Sequence, residues 1–201
     1  YEIDFNSGAL VFPGGSVDKG DKEIIATPAL FSGGEGLDEV TLSFRIAAIR
    51  ETFEESGILL ARPSGSQALV EARRASEIEA AHRADLCDGK IGFLKVLADN
   101  GMVLALDELM PYAHWITPEG MPKRFDTWFF LAGAPPEQLG AHDGKESTDS
   151  IWVSPREALE GVMRDMVSAR GFVRYLARRG GEPAGGASPR VGEGIALLCG
   201  A

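Results

Sequence analysis

The chain has little cysteine. Cys87 and Cys199 are the only two in 201 residues, and no CxxC pair exists. That excludes a disulfide framework and a thiolate zinc site, and it makes a reducing compartment the default. Base is also scarce. Twenty Lys and Arg stand against 30 Asp and Glu, a formal net charge of −10. Such an acid excess argues against a surface that wraps nucleic acid or lies on anionic lipid. It does not argue against a small anionic substrate, because a bound cation reverses the local sign. No apolar run reaches the ~18–20 residues of a membrane span, and no segment repeats. The expected location is cytoplasmic, with neither nucleic acid nor membrane as partner.

What is present is ordinary for a globular domain: 44% hydrophobic and 25% charged residues, enough for one real core. The chain opens at Tyr1 rather than Met, and the expectation is that a first strand or strands lie upstream. Short strands then alternate with helices, so the fold class is α/β. A strand at about 9–12 runs into the turn Phe12-Pro13-Gly14-Gly15. Residues 16–36 read as loop. A helix follows from about Asp38 to Ser56, stopped by Gly57. Ile58–Ala61 reads as a strand, 67–84 and about 89–98 as helices, and Ala113–Thr117 and Phe125–Ala132 as strands. Ile151–Val153 is a short strand, and Ser154-Pro155 opens a basic helix to about Arg179. The Gly- and Pro-rich composition from 180 on predicts a flexible tail over 180–201.

The helix at 38–56 carries the chemistry. Leu42, Ile46, Ile49 and Phe53 share one face at 4-3-4 spacing, a core stripe. Glu51, Glu54 and Glu55 cluster on the other side. Acids at i, i+3 and i+4 repel one another, and the helix dipole disfavours anions at this end. A hard divalent cation removes the conflict, since Mg²⁺ takes oxygen ligands and shares its shell with substrate phosphates. The plainer alternative is a solvated acidic face with Arg50 paired to Glu54.

The neighbouring residues decide between them. Gly15 is followed after five residues by Asp21, and later comes Arg50-Glu51-x-x-Glu54-Glu55-x-Gly57-Ile58. This resembles the Nudix box, in which Gly, five residues, Glu and seven residues precede Arg-Glu-aliphatic-x-Glu-Glu-x-Gly-aliphatic. Asp21 stands where the family has Glu, Phe53 replaces the aliphatic, and residues 22–49 number about 21 more than the family's seven. An interrupted box of this kind is similar to that of the coenzyme A diphosphatase-like subgroup. So is the stretch Trp115-Ile116-Thr117-Pro118 followed by Arg124-Phe125-Asp126-Thr127. The similarity runs from about Leu10 to Leu159.

The resemblance implies a Nudix-type α/β/α sandwich with a mixed central sheet and helical insertions. The domain would span 1–179, with inserts at about 22–43 and 62–110. It implies a metal-dependent diphosphatase using Mg²⁺ or Mn²⁺ on a small-molecule nucleotide diphosphate. CoA or acyl-CoA leads, cleaved to 3′,5′-ADP and (acyl-)4′-phosphopantetheine. ADP-ribose or another nucleotide derivative is the alternative, and a catalytically silent nucleotide-sensing module is the rival from another class. Homodimerisation stays open. Glu51, Glu54 and Glu55 become metal ligands, with Glu55 or a water it orients as base. Arg50 holds a box carboxylate in place, and Gly14 and Gly15 let the backbone approach. Asp21 is a weaker candidate for a metal contact. Glu146, six residues before Trp152, matches the loop glutamate some family members use as a base or extra ligand, and Arg124 is a candidate phosphate contact. His82, His114 and His142 have no second ligand at metal spacing and read as surface or structural. Trp115, Trp128, Phe129 and Phe130 read as sheet core, with base stacking as the minority role.

Overall fold

The computed structural model describes residues 12–121, 124–138, 140 and 152, and the backbone of 176–177 and 195–200. The strand β1 (Gly14–Gly15) leads at once into a helix, α1 (Lys19–Ile25), inside the stretch expected to be loop. Gly20 masks this helix in the sequence, but its start is well specified. Asp21 N–H donates to Asp18 Oδ1 at 3.1 Å, and Asp18 N–H donates to Asp21 Oδ2 at 2.8 Å. These reciprocal bonds satisfy donors that the first turn leaves unpaired. A 3₁₀ turn at Pro28–Leu30 and a short strand, β2 (Phe31–Ser32), fill the rest of that stretch.

Helix α2 (Glu39–Ser56) has the extent its sequence predicts. Asp38 caps it, accepting from Thr41 N–H at 2.7 Å, and Gly57 ends it at φ 74°. Leu42, Ile46, Ile49 and Phe53 are buried as their spacing requires. Each such side chain contributes roughly 1.5–3 kcal/mol. Burial extends beyond that stripe, however, to Ala47, Ala48, Arg50, Glu51, Thr52 and Glu55. The acidic side of α2 is therefore not a solvated face.

Beyond α2 come β3 (Ala61–Pro63), α3 (Ala72–Cys87), α4 (Phe93–Asn100), β4 (Met102–Ala105), β5 (Met110–Ile116) and β6 (Asp126–Gly133). The expected strand at 58–61 is shifted. Ile58, Leu59 and Leu60 are wholly buried, but Leu59 N–H donates to the Gln138 side chain rather than to a neighbouring strand. The last described elements are β7 (Leu176–Ala177) and β8 (Ile195–Gly200).

Two sheets result. The larger has the order β1-β8-β6-β5, with β1 parallel to β8 and the other neighbours antiparallel, so it is mixed. The smaller has the order β2-β4-β3. An α/β fold with a mixed sheet is what the sequence implied; the second sheet, from strands at 31–32, 61–63 and 102–105, is an addition to it. Helix α2 lies against β1 and β8, and its stripe joins one core with residues of α3, α4, β4 and β6. Two expectations need correction. Residues 195–200 belong to the sheet, with β6 along one edge of β8, so the tail does not extend over them. Leu176–Ala177 pairs with β8 instead of continuing a helix to 179, because strand pairing overrides local propensity there. Of the strand expected at 151–153 only Trp152 is described, and it packs on the core without belonging to a strand. The body of the helix opened by Ser154-Pro155, and the strand at 9–12 up to Phe12, lie outside the described residues.

Candidate functional site

The end of α2 presents its acids to β1. Gly14 N–H donates to Glu55 Oε1 at 3.2 Å. Gly15 lies so close to Glu51 that a Cβ would collide with the carboxylate. Glycine is needed here for space rather than for a positive φ.

Arg50 organises the other side. Its Nε and Nη2 hold Asp21 in a fork, at 2.9 Å to Oδ1 and 3.1 Å to Oδ2. Nη2 also reaches the Ser16 carbonyl at 2.8 Å, which ties down the β1–α1 connection. Nη1 turns to the acids, at 2.9 Å from Glu51 Oε1 and 3.4 Å from both Glu54 oxygens. Burial weakens the Arg50 cation, but the bonds and charges of Asp21, Glu51 and Glu54 more than offset it, so its pKa is raised. Asp21 is wholly buried, and burial raises its pKa despite the pull of Arg50.

Asp21 therefore has a different job from the auxiliary metal contact considered for it. Oδ1 accepts from Arg50, and Oδ2 accepts from both Arg50 and the Asp18 N–H. It is the anchor for the arginine. The repeated Asp at 18 and 21 was the available signal, since that spacing is a capping pattern.

Glu54 is the acid that remains in tension. Burial pushes its carboxyl up to about 7, against the pull of Arg50 and with help from the Glu51 charge. One guanidinium edge thus serves two glutamates, with a third on the next position. Among the described residues no three His, Cys, Asp or Glu side chains stand ready as one coordination shell. The donor set still fits a hard divalent ion in its chemistry: all oxygen, on one helix end, with more negative than positive charge.

A further contact comes from α3. Arg83 Nε on α3 donates to the Glu54 carbonyl at 2.8 Å. The sequence reading of the helical segment at 67–110 goes no further than packing or a cover over substrate, and no local pattern identifies Arg83 as a contact of this turn.

Of the other residues singled out by sequence, those that are described are not gathered here. Arg124 is exposed, at the tip of the β5–β6 hairpin, and donates to the Thr117 carbonyl at 3.1 Å. Among the described residues no hydrogen bond or ion pair joins it to the acids of α2. Glu146 and His142 lie outside the described residues. His114 pairs with Asp126 and stacks on Trp128, with centroids 4.2 Å apart. Phe130 is core, as expected, but Trp115 is 57% exposed and is not.

Comparison with known proteins follows the same line. A family model for the NUDT19 Nudix domain matches residues 33–169, more than half of the chain. The chain is 28% identical over 193 residues to the acyl-coenzyme A diphosphatase NUDT19 of Xenopus laevis, covering 78% of this chain and 51% of that protein. It is 31% identical over 156 residues to putative nudix hydrolase 7 of Caenorhabditis elegans, covering 78% and 44%. The chain thus spans about half the length of the curated relatives it matches. The crystal structure of a Nudix hydrolase from Alicyclobacillus acidocaldarius superposes with a TM-score of 0.59 at 27% identity, over 83% of this chain and 72% of that one.

Proposed function

The chain belongs to the Nudix hydrolase family, in its NUDT19 branch, and from that premise we propose that it hydrolyses the diphosphate of a nucleoside diphosphate-X substrate. CoA or an acyl-CoA is the leading substrate, with 3′,5′-ADP and (acyl-)4′-phosphopantetheine as products. The names of the NUDT19 relatives support that choice. The carrying observation is the end of α2: three carboxylates on one turn, pressed on β1, with one guanidinium between them.

In this reading Glu51, Glu54 and Glu55 hold Mg²⁺ or Mn²⁺. Bound there, the ion supplies positive charge for the diphosphate oxygens as the bridging bond breaks. The chain's own residues do the rest. Glu55, steadied by the Gly14 N–H, accepts the proton of the attacking water. Arg50, locked by Asp21, fixes Glu51 and Glu54 before substrate arrives. Gly14 and Gly15 let the backbone approach the acidic turn, where a Cβ at Gly15 would push the Glu51 carboxylate aside. Arg124 is assigned to a substrate phosphate, and Glu146 to the loop acid that assists the base. The same reading carries a cytoplasmic location, and gel filtration decides whether the assembly is a homodimer.

Glu55→Gln tests the mechanism. Turnover should fall by about 10²–10⁴-fold with little change in thermal midpoint. An unchanged rate would remove Glu55 from the reaction.

A further inference from the structure

We propose that the insert helix α3 belongs to the hydrolytic apparatus, with Arg83 as a positioning residue for the acidic turn of α2; this rests on the hydrolase reading above. The last four carbonyls of a helix have no partner within it. In α2 the Phe53 carbonyl is satisfied by Gly57 N–H at 2.9 Å. The next carbonyl, that of Glu54, is met from outside by Arg83 Nε at 2.8 Å and by Cys87 Sγ at 3.5 Å. Arg83 is itself held: Nη1 pairs with Glu79 Oε1 at 2.6 Å, and only 11% of its side chain is exposed. The Glu79 carboxylate fills the space beside Gly57, where a Cβ would collide with it.

Glu79, Arg83 and Cys87 are spaced four apart, so they form one stripe along α3. That stripe faces the end of α2. It closes over the turn whose side chains are Glu54 and Glu55. Three acids at the negative end of a helix dipole tend to fray that end. A guanidinium placed on the Glu54 carbonyl opposes both effects: it adds positive charge and fixes the peptide that sets where the two carboxylates point. Arg83 touches no reacting atom in this account; it acts through the backbone of Glu54.

The test compares wild type with Arg83→Gln, Arg83→Lys and Ile78→Val. Ile78 is a wholly buried core residue on the same helix, without a polar group to reach the acids. Two readouts are taken: binding of Mn²⁺ alone, from the paramagnetic signal of the free ion, and kcat and KM on a diphosphate the wild type cleaves. Arg83→Gln should lower kcat by about ten- to a hundredfold and weaken Mn²⁺ binding about tenfold, with KM within twofold. Arg83→Lys should recover part of both, and Ile78→Val should lower the thermal midpoint and change neither. Wild-type kcat and Mn²⁺ affinity in Arg83→Gln overturn the proposal, as does an equal kcat loss in Ile78→Val. Should Arg83→Gln fail to fold, Arg83→Lys decides, and a wild-type kcat there overturns it. A wild type that neither binds Mn²⁺ nor cleaves any diphosphate overturns the hydrolase reading itself, an outcome distinct from the rest.

Discussion

Two of the buried arginines, Arg62 and Arg50, each grip an aspartate, and they do so differently. Arg62 on β3 holds Asp107 through 2.6 and 2.8 Å bonds, reaches Glu108 at 2.7 Å and ties β3 to the 3₁₀ turn at Leu106–Glu108. Arg50 on α2 holds Asp21 in the same forked way. Each centre also has a glycine pressed on one of its acids, Gly33 on Asp107 and Gly15 on Glu51. The difference lies in what is left over. At Arg62 the bond to the guanidinium sets the balance, and Asp107 is held below the usual carboxylate range. At Arg50 most of the guanidinium is spent on Asp21, while Glu54 is pushed up to about 7. One centre is electrostatically settled and builds structure. The other keeps unresolved negative charge, as a cation site requires.

The largest expected effect is on stability. Asp21→Ala leaves Arg50 buried without its anchor and should cost about 3–5 kcal/mol, read by urea unfolding. Asp107→Ala, at an exposed acid, should cost about 1 kcal/mol or less. Equal costs would erase the distinction between the centres. Next comes Glu51→Gln. It should lower turnover by about 10²-fold and Mn²⁺ affinity by at least about tenfold, whereas Asp107→Asn should leave both unchanged.

The pH dependence separates the centres by sign. A carboxyl raised in the folded state stabilises it below the unfolded pKa, and that stability is lost as pH rises through the folded value. Metal-free protein should therefore lose up to about 3 kcal/mol between about pH 4.5 and 7 on account of Glu54. Asp107 works the other way, and its contribution disappears as pH falls below the usual carboxylate range. Unfolding midpoints across pH, with Glu54→Gln as reference, measure the first term; a flat difference between the two proteins would contradict it. The glycines carry smaller effects than Asp21 and Glu51. Gly15→Ala should displace the Glu51 side chain and lower turnover about tenfold for a shift of about 1.4 kcal/mol. Gly33→Ala, at φ +75° and against the Asp107 backbone, should cost about 1–3 kcal/mol of stability and leave turnover per folded molecule intact.

Much of the site was legible in the sequence because it is local. Helix α2, its cap, its Gly57 stop, its buried stripe and its three acids all lie within one periodic segment, where spacing alone fixes facing. What stayed hidden depends on distant partners. Helix α1 was obscured by Gly20, and Asp21 proved to be an anchor because Arg50 lies 29 residues away. The apolar run 58–60 looks like a strand, yet its Leu59 N–H goes to a side chain 79 residues on. Strand β8 sits beyond a Gly- and Pro-rich stretch, and only pairing with β6 reveals that it belongs to the fold. Arg83 was invisible for the same reason, since its target is a backbone carbonyl rather than a pattern.

The most direct test of the central claim is mass spectrometry of products after incubating the protein and Mg²⁺ or Mn²⁺ with CoA, acyl-CoA, ADP-ribose and dinucleoside polyphosphates. The account expects 3′,5′-ADP and a 4′-phosphopantetheine from CoA or acyl-CoA, formed by the wild type and not by Glu55→Gln. Intact substrates across the whole panel, or equal cleavage by Glu55→Gln, would contradict it.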